Sequence, residues 1–455
     1  MNALFARHAL LAAGWQGDVL IEWDGRGNLT RVEAGARPPI GVARAEYVVP
    51  GMANLHSHAF QRALGGLTEK AGDGPDSFWT WRELMYRFAA TITPEQIEAI
   101  AAQLFSECLR HGYTALCEFH YIQRDPQGVF YARPAEMAER IASAGQQSGM
   151  GLTLLPVLYS HSGFGEQPLK PEQARFRTDV DDVLRIVEAL EPLRGGQLEV
   201  GAAPHSLRAA GVEQIGELAK ALPGGRPLHI HIAEQPAEVR QSIEFSSLRP
   251  VEYLFEHIGI DARWCLVHAT HLNDKETLQL ARSGAVAGLC PTTEANLGDG
   301  VFPLPAYLAA GGRFGIGSDS HVSQSPVEEL RWLEYGQRLV RGSRNVAATP
   351  ARRDVGLNLW QDALSGGAQA SGRPVGALAP GRRADLLMLD SGHPNLEGAL
   401  DGDVLGRLVF CGNDNLVRDV LAGGRWVVQG GRHMAQEAIA RRYREAINQL
   451  REAQT

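Results

Sequence analysis

The chain has 455 residues, a formal charge of -8 and a pI near 6.0, with arginines scattered rather than clustered, so it offers no basic field for nucleic acid. Its five cysteines (Cys108, Cys117, Cys265, Cys290, Cys411) are far apart and form no Cys-x-x-Cys pair, which excludes a disulfide framework or a thiolate zinc knot and fits buried thiols in a reducing compartment. Lys70, Lys170, Lys220 and Lys275 are the only lysines, so basic charge is nearly all arginine and any single Arg is weak evidence for an anion site.

The apolar run at residues 9–13 is too short for a signal peptide and leads straight into the strand-like 18–23, and no run approaches a membrane span. A cytoplasmic protein without membrane contact is expected. Residues 1–49 read as strands and turns, with Asp24-Gly25-Arg26-Gly27-Asn28 as one turn. From residue 50 to 374 short apolar runs alternate with amphipathic helices. Strands are expected at 47–50, 114–119, 152–158, 198–203, 228–232, 265–267, 286–289 and 314–316. Helices are expected at 94–111, 134–148, 180–190, 212–222, 236–258, 274–283 and 326–341. Eight parallel strands with helices between them define an α/β protein, a (β/α)8 TIM barrel whose chemistry sits at the C-terminal strand ends. An open doubly wound sheet is the alternative, but its glycine fingerprint for a dinucleotide is missing. Residues 375–432 return to short strands and Gly turns, pairing with 1–49 into a small β domain, and a final helix lies within 433–455.

The chemistry-bearing residues fall on the expected rim. His56 and His58 sit two apart after the first strand, so alternation puts both rings on one face. His120 and Tyr121 follow the second strand, His161 the third, and His205 and Arg208 the fourth. His231 and Glu234 end the fifth, His268 ends the sixth, and Asp319 follows the eighth. A hydrolytic zinc site needs three or four N/O ligands and an open position for water, and His56, His58, His231 and Asp319 can supply such a set. Hydrolysis of a C=N bond takes a proton from water and gives one to the leaving nitrogen. Glu234 is positioned to carry that proton, with His268 and Asp319 sharing the deprotonation. Other residues have bland readings. His111, His257, His393 and His433 read as structural or solvent-facing, 78–81 as core, Arg82 as solvated or paired, and Glu294 and Asn296 as caps or rim.

These motifs together resemble the amidohydrolase superfamily: Pro50-Gly51 before His-x-His, His231-x-x-Glu234, His268, Gly317-Ser318-Asp319, and the tail Gly376-Ala377-Leu378-x-x-Gly381-x-x-Ala384-Asp385-Leu386. The resemblance covers nearly the whole chain and implies a distorted barrel with a small β-sandwich built from both chain ends. Its deaminase branch implies one divalent metal, usually zinc. Binuclear relatives use a lysine at the fourth strand end, where this chain has Ala203-Pro204-His205-Ser206, so a mononuclear site is expected. Within that branch, the segments 58–64, Trp79-x-Trp81-Arg82-Glu83 and 203–208 are similar to enzymes that deiminate N-formimidoyl-L-glutamate in histidine degradation. The resemblance makes His56, His58, His231 and Asp319 the metal ligands and Glu234, His268 and Asp319 the catalytic groups. Gln61, Arg82, Tyr121, His205 and Arg208 become the substrate shell. Arginine forks suit a small-molecule substrate with two carboxylates. Two other readings stay open: a deaminase acting on guanine, S-adenosylhomocysteine or a related ring, and an inactive metal-binding sensor. A homodimer is expected by analogy.

Overall fold

The computed structural model describes residues 2–70 and 78–452, leaving out the side chains of Phe78 and Trp79, so the reading of those two as core lies outside the described residues. Strand β1 (Ala3–Leu11) pairs antiparallel with β2 (Gly14–Trp23), and β2 pairs with β3 (Leu29–Glu33). Strand β4 (Ala43–Pro50) runs parallel to β1. At Gly51 the chain leaves this sheet, and strand β5 (Met52–Ser57) begins at once in a second one.

The run at 47–50 is therefore the end of β4, and the first barrel strand is β5. Two apolar runs separated by one glycine do not divide on hydrophobicity alone. Gly51 marks the crossing because a Cβ there would lie 2.3 Å from Thr114 Oγ1, while its N–H donates to Asp385 O at 3.1 Å.

The barrel continues with β6 (Tyr113–His120), β7 (Gly151–Leu158), β8 (Leu198–Val200), β9 (Ala203–Pro204), β10 (Leu228–Ile232), β11 (Trp264–His268), β12 (Val286–Leu289) and β13 (Arg313–Ile316). Every pairing among them is parallel. They form two arcs, β5-β6-β7-β8 with β9 on β7, and β10-β11-β12-β13. Isolated bridges join the arcs on both sides, Ala202 to Leu228 and Ser206 to His231 on one, Ser57 to Asp319 on the other, which closes a distorted barrel. The expected strand 198–203 breaks at Gly201, where a Cβ would meet Pro227 O at 2.4 Å.

Helices connect the strands. Pro94–His111 starts on a Thr93 capping box and stops at left-handed Gly112. The expected helix 236–258 is two, Pro236–Ser246 and Pro250–His257, because Ser247 turns left-handed and Pro250 has no N–H to continue the ladder. The helix Val355–Ser371 crosses the barrel floor, with Gly366 and Gly367 against Phe314, Gly315 and Ala53. There a Cβ on Gly366 would sit 1.8 Å from Phe314 O, and His229 donates Nε2–H to Ala370 O at 2.8 Å.

Past the barrel, β14 (Leu386–Leu389) pairs antiparallel with β4, followed by β15 (Val417–Ala422), β16 (Arg425–Gln429) and β17 (Arg432–His433). Strands of both chain ends thus share one sheet, in the order β17-β16-β15-β14-β4-β1-β2-β3. Its own core holds Leu4, Val19, Ile21, Val48, Leu386 and Leu421. The last helix, Gln436–Glu452, lies on Pro94–His111, where Arg442 reaches Glu98 and Gln147.

Candidate metal centre and active site

Strand ends deliver the side chains. His56 lies on β5 and His58 one residue beyond it, His231 on β10, and Asp319 three residues past β13. One ligand atom from each of the four lies within 4.8 Å of all the others, and all four residues are buried. His58 donates its Nδ1–H to Phe119 O at 2.9 Å and His231 donates its own to His205 O at 3.0 Å, which leaves each Nε2 as a bare lone pair turned inward. His56 Nε2 lies 3.1 Å from His58 Nε2 and 2.9 Å from His231 Nε2. Asp319 Oδ1 lies 3.5 Å and 3.4 Å from the first two nitrogens.

Burial keeps these rings neutral, depressing His56 to about 3 and His58 and His231 below the usual imidazole range. Burial works against the Asp319 anion too, yet the hydrogen bond from His56 and the surrounding imidazoles hold its carboxyl below its ordinary value. The Nε2 lone pairs of His58 and His231 and the Asp319 carboxylate all converge on His56 Nε2, whose single proton cannot satisfy all three; a cation among them removes the conflict. Three nitrogens and one carboxylate oxygen are a donor set for a divalent metal of the zinc type, so the residues present fit such an ion.

Beside this set lies a proton-sharing unit. His268, at the end of β11, has its Nε2 3.7 Å from Glu234 Oε1 and 3.7 Å from Asp319 Oδ2. It donates its Nδ1–H to Glu294 Oε1 at 3.3 Å. Burial alone would lower its pKa, but the carboxylates of Glu234, Glu294 and Asp319 raise it to about 10. Burial raises Glu234, which the nearby His268 and Arg208 charges partly offset. Glu238, in the first turn of Pro236–Ser246, fixes the Glu234 segment by accepting the N–H groups of Ala233 and Glu234 at 3.1 Å and 3.2 Å.

The backbone at this rim is unusual. Ala233, His268, Ala269, Asp319 and His321 all have positive φ, between 44° and 66°. Each such non-glycine residue costs about 1 kcal/mol, and the surrounding bonds hold it there. Asn54, Ser57, Ser318, His321 and Glu118 form one such buried chain beneath the ligands: Asn54 donates to Ser318 Oγ at 2.6 Å, Ser318 Oγ meets His321 Nδ1 at 3.0 Å, and Ser57 donates to Glu118 at 2.6 Å.

One pocket opens on the metal set. It is lined by His58, His231 and Asp319, by Glu234 and His268, by all five residues expected in the substrate shell (Gln61, Arg82, Tyr121, His205, Arg208), and by Trp81, Met85, Tyr86, Tyr159 and Leu297. The expected ligands, acids and shell residues are thus brought together. His161 lines a different groove, and His120 is buried outside the pocket lining. Arg82 lines the pocket, as its place in the expected substrate shell requires, and Glu294, read as a cap or rim residue, orients His268. Sequence reasoning missed Glu238, His321, Tyr86 and Tyr159; only their spacing from rim residues hinted at them.

A closed barrel whose rim carries a His3Asp donor set beside a Glu/His/Asp proton unit defines a metal-dependent hydrolase. The sequence profile of the Amidohydrolase family matches residues 47–427, and the chain belongs to that family. A formimidoylglutamate deiminase of Pseudomonas aeruginosa is 51% identical over 451 residues, covering 99% of this chain and 100% of that protein. A 5-methylthioadenosine/S-adenosylhomocysteine deaminase of Natronomonas pharaonis is 27% identical, covering 84% of this chain and 81% of that one. The crystal structure of an amidohydrolase from Brucella melitensis superposes with a TM-score of 0.94 at 45% identity, covering 99% of this chain and 100% of that one.

Proposed function

We propose that the protein hydrolyses N-formimidoyl-L-glutamate to N-formyl-L-glutamate and ammonia, with one zinc ion held by His56, His58, His231 and Asp319. The observation that carries this reading is Arg208. Its guanidinium is buried in the pocket, its Nε has no hydrogen-bond partner, and its nearest carboxylates, Glu234 and Glu238, stand off at 3.9 Å. A buried cation with unused donors calls for an anionic ligand, and Arg82 lines the same pocket. Gln61 supplies the complementary feature. Its Nε2 donates to Tyr121 Oη at 3.0 Å while its buried Oε1 has no partner, an acceptor suited to an amidine N–H. The 51% identity to a formimidoylglutamate deiminase supports the same substrate.

A bound zinc ion supplies activation of water at neutral pH. The residues supply positioning and proton transfer. Arg208 and Arg82 bind carboxylate, Gln61 and Tyr121 orient the formimidoyl group, and His205 packs against His231 with ring centroids 4.8 Å apart. A C–O bond forms at the formimidoyl carbon, the C–N bond to the terminal nitrogen breaks, and both protons of water end on the departing nitrogen. Asp319 takes up the first proton, His268, 3.7 Å away, can pass on the proton it holds, and Glu234 hands protons to the nitrogen. The carboxylates on either side favour the protonated ring of His268, so it steadies them before it relays anything.

The same reading sets the enzyme in the cytoplasm, supported by five free thiols, four of them buried. No helix among the described residues is long and apolar enough to cross a membrane. It also makes the enzyme a homodimer, for which the exposed Trp332, Leu339 and Val340 on the helix Pro326–Arg341 are available surface.

The test is ammonia release by the zinc-loaded protein from N-formimidoyl-L-glutamate, N-formimidoyl-glycine, guanine and S-adenosylhomocysteine. Release from the glutamate derivative alone is the expected result. Turnover of a ring substrate would keep the hydrolase and discard the two-carboxylate argument, and inertness toward all four would point to a sensor.

A further inference from the structure

Two pocket residues have no part in the chemistry above: Tyr86, on the helix Phe78–Ala89, and Tyr159, just past β7. Both are buried, and their hydroxyl oxygens lie 3.3 Å apart. Each meets Gln173, a buried residue of the short turn Pro171–Phe176, whose Nε2 is 2.8 Å from Tyr159 Oη and 3.4 Å from Tyr86 Oη. The amide has one orientation. Its Oε1 accepts the Lys170 backbone N–H at 2.9 Å, so the NH2 group must face the two phenols.

An amide NH2 only donates. Both phenol oxygens therefore act as acceptors toward Gln173, and their own protons must point elsewhere. One proton can bridge the two oxygens; at least one O–H is left over, and both residues line the pocket. Cations stand around it. The Arg82 guanidinium lies over the Tyr86 ring at 5.5 Å, and Arg208 lines the same cavity. Burial holds the Tyr159 phenol well above its ordinary range, so it remains a donor.

We propose that Tyr86 and Tyr159, their hydroxyls turned by Gln173, are the O–H donor half of a carboxylate subsite whose cationic half is Arg208. The inference rests on the deiminase reading and deepens it, because it assigns one of the substrate's two carboxylates to this trio. Tyr86 and Tyr159 touch the ligand; Gln173 is a positioning residue. A carboxylate accepts O–H donors but cannot return a proton, which suits a site where Gln173 has already used the phenols' accepting side.

Calorimetric binding to the zinc-loaded enzyme tests this with three ligands: N-formyl-L-glutamate, N-formyl-L-norvaline without the side-chain carboxylate, and N-formyl-4-aminobutyrate without the α-carboxylate. Tyr159→Phe is expected to weaken N-formyl-L-glutamate about tenfold and to leave one of the two single-carboxylate ligands unchanged. Gln173→Glu keeps the acceptor for Lys170 and the side-chain volume but turns the donor into an acceptor that draws the phenol protons away from the pocket. It should reproduce the Tyr159→Phe pattern at an unchanged melting temperature. Equal weakening of all three ligands, no weakening, or no binding of N-formyl-L-glutamate by the wild type would overturn the subsite. Ammonia release from N-formimidoyl-L-glutamate checks the underlying reaction separately: a wild type that binds with the expected pattern yet releases no ammonia keeps the subsite and loses the reaction.

Discussion

In the proposed reaction Glu234 holds a proton and parts with it within one turnover, which a neutral amide cannot do. Glu234→Gln should lower kcat at least a thousandfold while the metal content, measured by elemental analysis, stays at one equivalent. Arg208→Ala should act on KM instead, raising it about a hundredfold with metal content unchanged, as steady-state kinetics on N-formimidoyl-L-glutamate would record. Glu118 gives a pH signature. Burial pushes its carboxyl up to about 8, against hydrogen bonds from Ser57 and the Ala59 N–H that favour the anion. A folded-state value raised above the ordinary 4.5 means that its contribution is fully present below that value and lost as pH rises through about 8. In chelator-stripped protein, Glu118→Gln should therefore gain on the wild type between pH 5 and 8, by about 1.4 kcal/mol per pH unit at most, and no further above. Denaturant titrations at four pH values would measure it. The convergence of the proposed ligands and acids was legible in the sequence because His, Asp and Glu directly after apolar runs are poor core residues. Tyr86, Tyr159 and Gln173 were not, since a tyrosine in a helix or past a strand reads as packing and its hydroxyl's orientation depends on a partner distant in sequence.

At the scale of the element, strand ends with left-handed residues are where the fold and the site meet. Ala269 has φ +48 and is fully buried. Glycine adopts that conformation freely, so Ala269→Gly should stabilise the protein by about 0.5–1 kcal/mol, visible as a raised melting temperature. Most helices were legible from their periodicity and caps, as Val180–Leu190 and Asp274–Ser283 illustrate. Where the sequence misled, the cause was a contact with a distant segment. Gly51 divides two strands because Thr114 stands in the way of a side chain, and the break before Pro250 lies inside a stretch whose apolar spacing continues through it. The floor helix Val355–Ser371 carries a Gly366-Gly367 pair that argues against a helix, and it is needed for the close approach to Phe314.

For the whole molecule, the metal set ties together three remote points of the chain. His56 belongs to β5 with His58 just past its end, His231 to β10, and Asp319 to the segment after β13, where the Ser57–Asp319 bridge closes the barrel. Removing the cation should lower the melting temperature, and zinc at a hundredfold excess over its Kd should restore about 2.7 kcal/mol, as calorimetry with and without a chelator would measure. The Gly51 crossing has a consequence in time. Strand β4 is made early, but β14, which covers its other edge, begins only at Leu386. At roughly 5–20 residues per second, a ribosome needs on the order of a minute or less to deliver it. Throughout that interval the nascent chain carries an open β edge, so chaperone dependence during synthesis, more than the stability of the finished enzyme, would govern its yield.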